Sequence, residues 1–255
     1  MRKISVGLIL TILLLSACSN KVGQIEDGYT NFGDLKFPQF QRPKEGEEIA
    51  VITTSKGVIK AKLLEEAAPI AIKQFKEWVK EGRYTNCPFA RLRKDRTIMI
   101  EMEGFNNNWN KEERVKYNNN IREDMNFGDD YVIETNEDYM FFSGAIGFAH
   151  STKKDEKEIP IGPLFIVTNE GESEEILELM ENLPEEYGFT KEFITAYRDI
   201  GGVLEYNGHY IVFAQIFYGM DIVYEISNMT VDGNKYPVED PVVIEKIEIV
   251  KYEEK

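Results

Sequence analysis

The chain has 255 residues, 42% of them hydrophobic and 29% charged, with two Cys and two His. That composition excludes a disulfide-stapled miniprotein, a Cys/His zinc module and a chain dominated by disorder, and the length allows one or two domains with a sizeable core. Thirty basic residues against 45 acidic ones give a formal charge of −15, which repels phosphate backbones and anionic head groups, so nucleic acid is not an expected partner.

Met1, Arg2 and Lys3 open the chain with positive charge, an apolar run follows from Ile4 to Leu15, and Ser16-Ala17-Cys18 comes next. This is the layout of an export signal, and its apolar stretch is shorter than the ~20 residues that span a bilayer. From 18 to 46 the sequence is polar with isolated aromatics, Tyr29, Phe32, Phe37 and Phe40, and has no sustained period. It reads as a tether. A domain is expected from 47 to 255.

Periodicity starts with Ile49 to Thr54 and Val58 to Leu63, two β-rich runs separated by Ser55-Lys56-Gly57, which predict a hairpin with one buried face. Pro69, apolar residues at helical spacing (Ala71, Phe75, Trp78, Val79) and Gly82 predict an amphipathic helix over 69 to 81. Strand-like runs recur at 97–100, 145–149, 164–167, 210–216 and 242–250, which indicates an all-β barrel or sandwich. Two segments interrupt it as insertions: 106–138, polar and rich in Asn, and 172–198, which reads as helical. No glycine-rich phosphate loop, nucleophile elbow, H-E-x-x-H helix or calcium loop is present, so neither a cofactor nor a metal is expected.

Leu15-Ser16-Ala17-Cys18 resembles the lipobox of bacterial lipoproteins. The resemblance implies cleavage after residue 17, acylation of Cys18 with palmitate-like chains, and a location on the outer face of the cell membrane. Each buried lipid CH₂ contributes about 0.8 kcal/mol to such anchoring. Cys87 is then the remaining thiol, read as a small buried side chain.

The ordered set comprising the hairpin, the helix ending Gly82-Arg83-Tyr84, Phe89-Ala90-Arg91-Leu92, Ile98-Met99-Ile100-Glu101, Gly144 to His150, Gly162 to Val167, and Tyr210 to Val223 resembles the cyclophilin-type peptidyl-prolyl cis-trans isomerases. The resemblance covers about residues 47 to 252. It implies a mainly β fold, a closed eight-stranded antiparallel barrel capped by two helices, the second at Met220 to Ser227.

In that family an Arg does the chemistry, and Arg91 stands in its place. The physical need is plain: X-Pro rotation faces a barrier of roughly 18–20 kcal/mol because the imide nitrogen shares its lone pair with the carbonyl. A cation that hydrogen-bonds this nitrogen favours the twisted state alone, and Arg holds its charge and geometry better than Lys. With two residues inserted after Arg91, Ile98 and Met99 fall on the family's proline pocket and Glu101 replaces its supporting Gln. Ala149 keeps the family's small residue, while His150 replaces an Asn that bonds substrate backbone. Leu164 falls where Gln is usual and Ile166 where Phe is usual, which predicts a pocket missing one polar contact and one ring. Tyr206 lies near the pocket Leu, and Tyr210 takes the position of the family's His or Tyr. His209 is expected at an exposed turn.

These expectations converge on a peptidyl-prolyl cis-trans isomerase, working as a monomer on proline-containing segments of exported proteins. The alternative is a lipoprotein that binds proline peptides as a holdase or scaffold and has lost efficient catalysis.

Overall fold

The computed structural model describes residues 21–254 apart from 107, 125, 126, 128–130, 151–159, 170 and 184; the signal peptide expected at 1–17 and the acylation expected at Cys18 fall outside the described residues. Strands β1 (Ile25–Glu26) and β2 (Tyr29–Thr30) form a short ribbon whose Tyr29 pairs with Tyr218. Strands β3 (Glu48–Thr54) and β4 (Gly57–Leu63) make the expected hairpin, in register from Ile49↔Lys62 to Thr54↔Gly57. The Thr54 hydroxyl accepts hydrogen bonds from the Lys56 and Gly57 amides, both at 3.1 Å, which fixes the turn.

Helix α1 (Pro69–Lys80) begins at its proline and buries Ala71, Ile72, Phe75 and Trp78. Its N-terminal residue Ala68 gives no side-chain cap; instead the Ile70 and Ala71 amides both donate to the Glu134 carboxylate at 2.9 Å. An anion there satisfies two orphan donors and meets the positive end of the helix dipole. Strands β5 (Cys87–Arg93) and β6 (Thr97–Ile100) follow, then helix α2 (Lys111–Asp124). Strands β7 (Ala145–His150) and β8 (Pro160–Val167), helices α3 (Glu174–Glu181) and α4 (Lys191–Asp199), strand β9 (Val212–Tyr218), helix α5 (Met220–Ser227) and strand β10 (Val243–Lys251) complete the chain.

Eight strands run in the order β9-β4-β3-β10-β5-β6-β8-β7, every neighbour antiparallel, and the pairing of β7 with β9 closes the barrel. Closure leaves no exposed edge among them. The apolar faces of α1 and α5 enter the same core as the inward residues of the strands, with Phe75 at 5.0 Å from Phe213. Gly219, at φ 88°, starts α5; a Cβ there would stand 2.6 Å from the Val58 carbonyl oxygen, so only glycine fits. Cys87 is fully buried, its thiol donates to the Arg83 carbonyl at 3.2 Å, and burial pushes its pKa up to about 12.

The segment expected as a tether differs. From residue 21 it is packed: Phe32, Leu35 and Phe40 are buried and join Phe142, Phe217 and residues of α3 and α4 in a second apolar core. Gln39, also buried, accepts from the Met140 amide at 2.7 Å and donates to Gln215 on the barrel wall at 2.8 Å. The first insertion contains α2 and sends Tyr117 into the main core, where its hydroxyl donates to the Met102 carbonyl at 3.0 Å. The second holds the helices α3 and α4, each started by a hydroxyl cap, Ser173 and Thr190.

The two hydrogen bonds that Glu134 accepts make this residue an N-cap supplied from across the structure. Glu134→Ala should lower the unfolding free energy by about 1 kcal/mol, the usual worth of a cap, read as a reduced urea midpoint with unchanged slope.

Candidate active site

Strand alternation decides what faces outward. Met99 pairs with Ala90 on one side and with Phe165 on the other, and Phe165 pairs with Gly147, so these four share one face of the sheet. Ile98, Ile166 and Ile146 form the next row, and Ile100, Leu164 and Phe148 the one after it on that same inward side. The inward rows are core.

Arg91 would point inward on simple alternation. Between the pairs Ala90↔Met99 and Arg93↔Thr97 the β5 strand carries two residues, Arg91 and Leu92, against the single Ile98 of β6. This two-for-one bulge lets Leu92 take the inward place, 1% exposed, and leaves Arg91 as an added outward residue. Arg91 adopts φ 49°, a left-handed conformation that costs a non-glycine residue about 1–2 kcal/mol. Strain of this kind concentrates at functional sites.

The outward face opens into a cleft of about 290 Å³ lined by Arg91, Met99, Glu101, Ala149, His150, Tyr206 and Tyr210 from among the expected residues, together with Phe165. Phe165 meets Tyr206 edge-on at 5.4 Å and Tyr210 at 5.7 Å; the two tyrosines lie 4.9 Å apart, and His150 lies 4.6 Å from Tyr210. Three rings and the Met99 thioether make a compact apolar wall. A Cβ on Gly147 would stand 2.6 Å from the Phe165 ring, so this glycine makes room for it. The Arg91 guanidinium is half-buried, 3.8 Å from the Met99 sulfur.

Three expected residues do not line the cleft. Ile98, Leu164 and Ile166 are fully buried in the barrel core. The cause is the period-two geometry of β8: placing the family's ring at Ile166 is one residue off, which flips the strand, and Phe165 supplies the ring instead. Pro163, two residues earlier on the same face, lines the cleft where Leu164 was expected. Sequence reasoning also missed Thr97, Arg93, Ile161 and, from the first insertion, Asn118. Alternation anchored on the core rows of β6 and β8 locates Thr97, Ile161, Pro163 and Phe165; no sequence signal marks Asn118. His209 is exposed, as expected.

Two ionisable groups in the cleft are shifted by burial. Glu101 is 3% exposed, and burial raises its pKa to about 7 against the opposing fields of Arg91 and Arg114. Arg91 thus acts on Glu101 through its field, while its hydrogen bond goes to Met99. Burial lowers the His150 pKa to about 4, so its imidazole is neutral near pH 7. The guanidinium therefore faces a neutral imidazole and a carboxyl that is only partly ionised at neutral pH. It is available to an uncharged acceptor.

A closed antiparallel barrel with a half-buried arginine beside a ring-walled cleft narrows the class of protein. Comparison with known proteins assigns it. The family model for cyclophilin type peptidyl-prolyl cis-trans isomerases matches residues 49–249. A Staphylococcus saprophyticus protein, provisionally named a peptidyl-prolyl cis-trans isomerase, is 24% identical over 216 residues, 84% of this chain and 98% of the relative. Among solved structures, a Cryptosporidium parvum cyclophilin type peptidyl-prolyl cis-trans isomerase, crystallised in the presence of the dipeptide Ala-Pro, superposes with TM-score 0.51 at 17% identity, over 80% of this chain and 99% of that one. A second crystal structure of that cyclophilin gives TM-score 0.52 at 16% identity, over 82% and 99%. The chain belongs to the cyclophilin-type peptidyl-prolyl cis-trans isomerase family, and it is an isomerase of that type.

The two shifted groups have opposite linkage signs. Between about pH 4.5 and 7 the native state keeps a proton on Glu101 that the unfolded chain has released, so this group makes stability fall as pH rises. Between about pH 4 and 6.5 the unfolded chain protonates His150 and the native state does not, so this group makes stability rise with pH. Relative to wild type, Glu101→Gln should gain stability as pH rises from 5 to 7, and His150→Asn should gain as pH falls from 6.5 to 4. Urea titrations across this range check both, and parallel curves for wild type and Glu101→Gln would contradict the buried carboxyl.

Proposed function

We propose that this chain accelerates X-Pro rotation with Arg91 as its catalytic residue, and that it does so on exported polypeptides while held at the outer membrane surface by acyl chains on Cys18. The observation that carries the first part is the bulge: it delivers a guanidinium to the cleft that Met99, Phe165, Tyr206 and Tyr210 wall. The proline ring packs on that wall, and an Arg91 N–H donates to the imide nitrogen. In the planar ground state the nitrogen lone pair is delocalised and a poor acceptor; as the bond twists the pair localises, and the hydrogen bond strengthens. No bond is made or broken and no cofactor is used.

Magnitudes fit a modest contribution per group. A hydrogen bond to a charged group is worth about 1.5–3 kcal/mol, which is about one to two decades in rate. The remaining acceleration falls to the apolar wall, which holds the imide away from water, and to the half-neutral Glu101, which leaves the guanidinium free to donate. His150 and Tyr210, neighbours on the cleft rim, supply polar contacts to the substrate backbone.

The cellular part of the reading is supported by the sequence alone, through the cationic start, the apolar run and Leu15-Ser16-Ala17-Cys18. Uncatalysed X-Pro exchange takes tens to hundreds of seconds at 25 °C, long enough to delay the folding of an exported chain, and its catalysis requires no ATP.

Arg91→Ala should lower kcat/KM about a hundredfold, in line with the loss of one preorganised transition-state donor, with little change in peptide binding, read by NMR exchange on an Ala-Pro peptide. Because Arg91 sits at positive φ, Arg91→Gly should be as inactive yet melt no lower than Arg91→Ala. Undiminished turnover in both variants would remove Arg91 from the chemistry. For the anchor, wild type expressed with its leader should enter the detergent phase of a two-phase extraction and Cys18→Ser the aqueous phase; equal partitioning would exclude acylation.

A further inference from the structure

A second concavity, about 890 Å³, opens between the N-terminal segment and the helices α3 and α4 of the second insertion. Its surface includes Phe37, Met140, Leu179, Leu183 and Phe189. Leu179 is 63% exposed and Leu183 36%, on a helical hairpin that turns its other face to the second core. Glu137, Asp138, Glu186 and Glu192 line it as well, against the single cation Lys36.

This groove lies one depression away from the proline cleft. Between them lies a depression of about 190 Å³ lined by Tyr210, which also lines the proline cleft, and by Asn207, Met140 and Glu137, which also line the groove. The short turn Leu204–Tyr206 spans the same boundary, with Leu204 in the groove and Tyr206 in the cleft. A polypeptide seated with its proline against Phe165 and Tyr210 would have the groove as the next concavity beyond Tyr210 and Asn207.

We propose that the groove holds the continuation of the substrate chain: an extended, unfolded segment carrying apolar and basic residues, bound in line with the proline whose bond is turned. This rests on the isomerase reading and names its substrate class. Apolar side chains match the exposed leucines and Phe189, and basic ones match the four acids. A second copy of this chain, at −15, meets an acidic surface with its own acidic surface and is disfavoured, as is an anionic lipid surface.

The test uses the full chain and three fluorescent peptides. One is a short Ala-Pro peptide, and the other two add about eight residues of Leu, Phe and Lys on the N-terminal or the C-terminal side, a reach of about 26 Å when extended. One extended peptide should show kcat/KM about tenfold above the short one, about 1.4 kcal/mol. The double variant Leu179→Glu/Leu183→Glu should erase that gain and treat the short peptide as wild type does, which also reports correct folding. Glu in place of Lys in the extension should reduce the gain. No gain from either extension, or a gain kept by the double variant, would overturn the proposal. So would a wild-type dimer in sedimentation that the double variant dissolves, since the groove would then hold a second copy. If wild type turns over no peptide, the isomerase reading fails alone, and anisotropy decides the groove: tighter binding of an extended peptide, weakened by the double variant, supports it, and equal binding of short and extended peptides overturns it.

Discussion

One irregularity in a strand decides which cation this barrel presents beside Met99. A closed antiparallel sheet sends alternate residues inward and outward, and its core rows tolerate no charge, so a cation can face the cleft only at an outward place. Outward places beside Met99 are few. The bulge in β5 adds one without displacing the core: Leu92 keeps the inward position that regular pairing would have given to Arg91. Arg91 then occupies a left-handed conformation that costs about 1–2 kcal/mol, a cost that the eight-strand closure and the packing of Leu92 offset. The site is thus over-determined by the fold rather than by its own contacts, which is what preorganisation requires.

Around that cation the barrel suppresses competing charge. The family's Gln is a Glu here, and a fully ionised carboxylate beside Arg91 would engage its N–H groups. Burial opposes this by raising Glu101 to about 7, so the carboxyl is mostly protonated below that pH and about half ionised at it. Protonated, the carboxyl offers one donor and remaining acceptor capacity, much as an amide does; ionised, it strengthens the field on the guanidinium. His150, held near 4, adds no charge at all. The polar identity of the site therefore follows from its dryness as much as from its residues.

The hairpin, α1 and most barrel strands were legible because each buries one face and so writes its period into the sequence. Arg91 was legible only through the order of motifs: as a bulge residue it breaks the alternation that would otherwise have marked it. Leu164 and Ile166 were misplaced for the complementary reason. The run from Leu164 to Val167 is apolar at every position, so its period is silent, and only pairing with Met99 and Gly147 reveals that Phe165 faces out. The apparent tether misled differently. Phe32, Leu35 and Phe40 are spaced without period because they do not form one face of one element; their partners are Phe142 and the helices α3 and α4, more than a hundred residues away.

That second core bears on how function is divided in the molecule. Phe217 and Gln215 belong to a barrel strand, and the N-terminal segment and the α3–α4 hairpin are built onto them through aromatic stacking and the paired glutamines. The proline cleft and the groove of the added layer adjoin at Leu204 to Tyr210, so the layer can alter what is presented beside the barrel's own cleft. Sites grafted on a fold vary more readily than the fold itself. Here the graft needs both ends of its own support, since the N-terminal segment supplies one wall and the hairpin the other, and neither wall stands without the core they bury together.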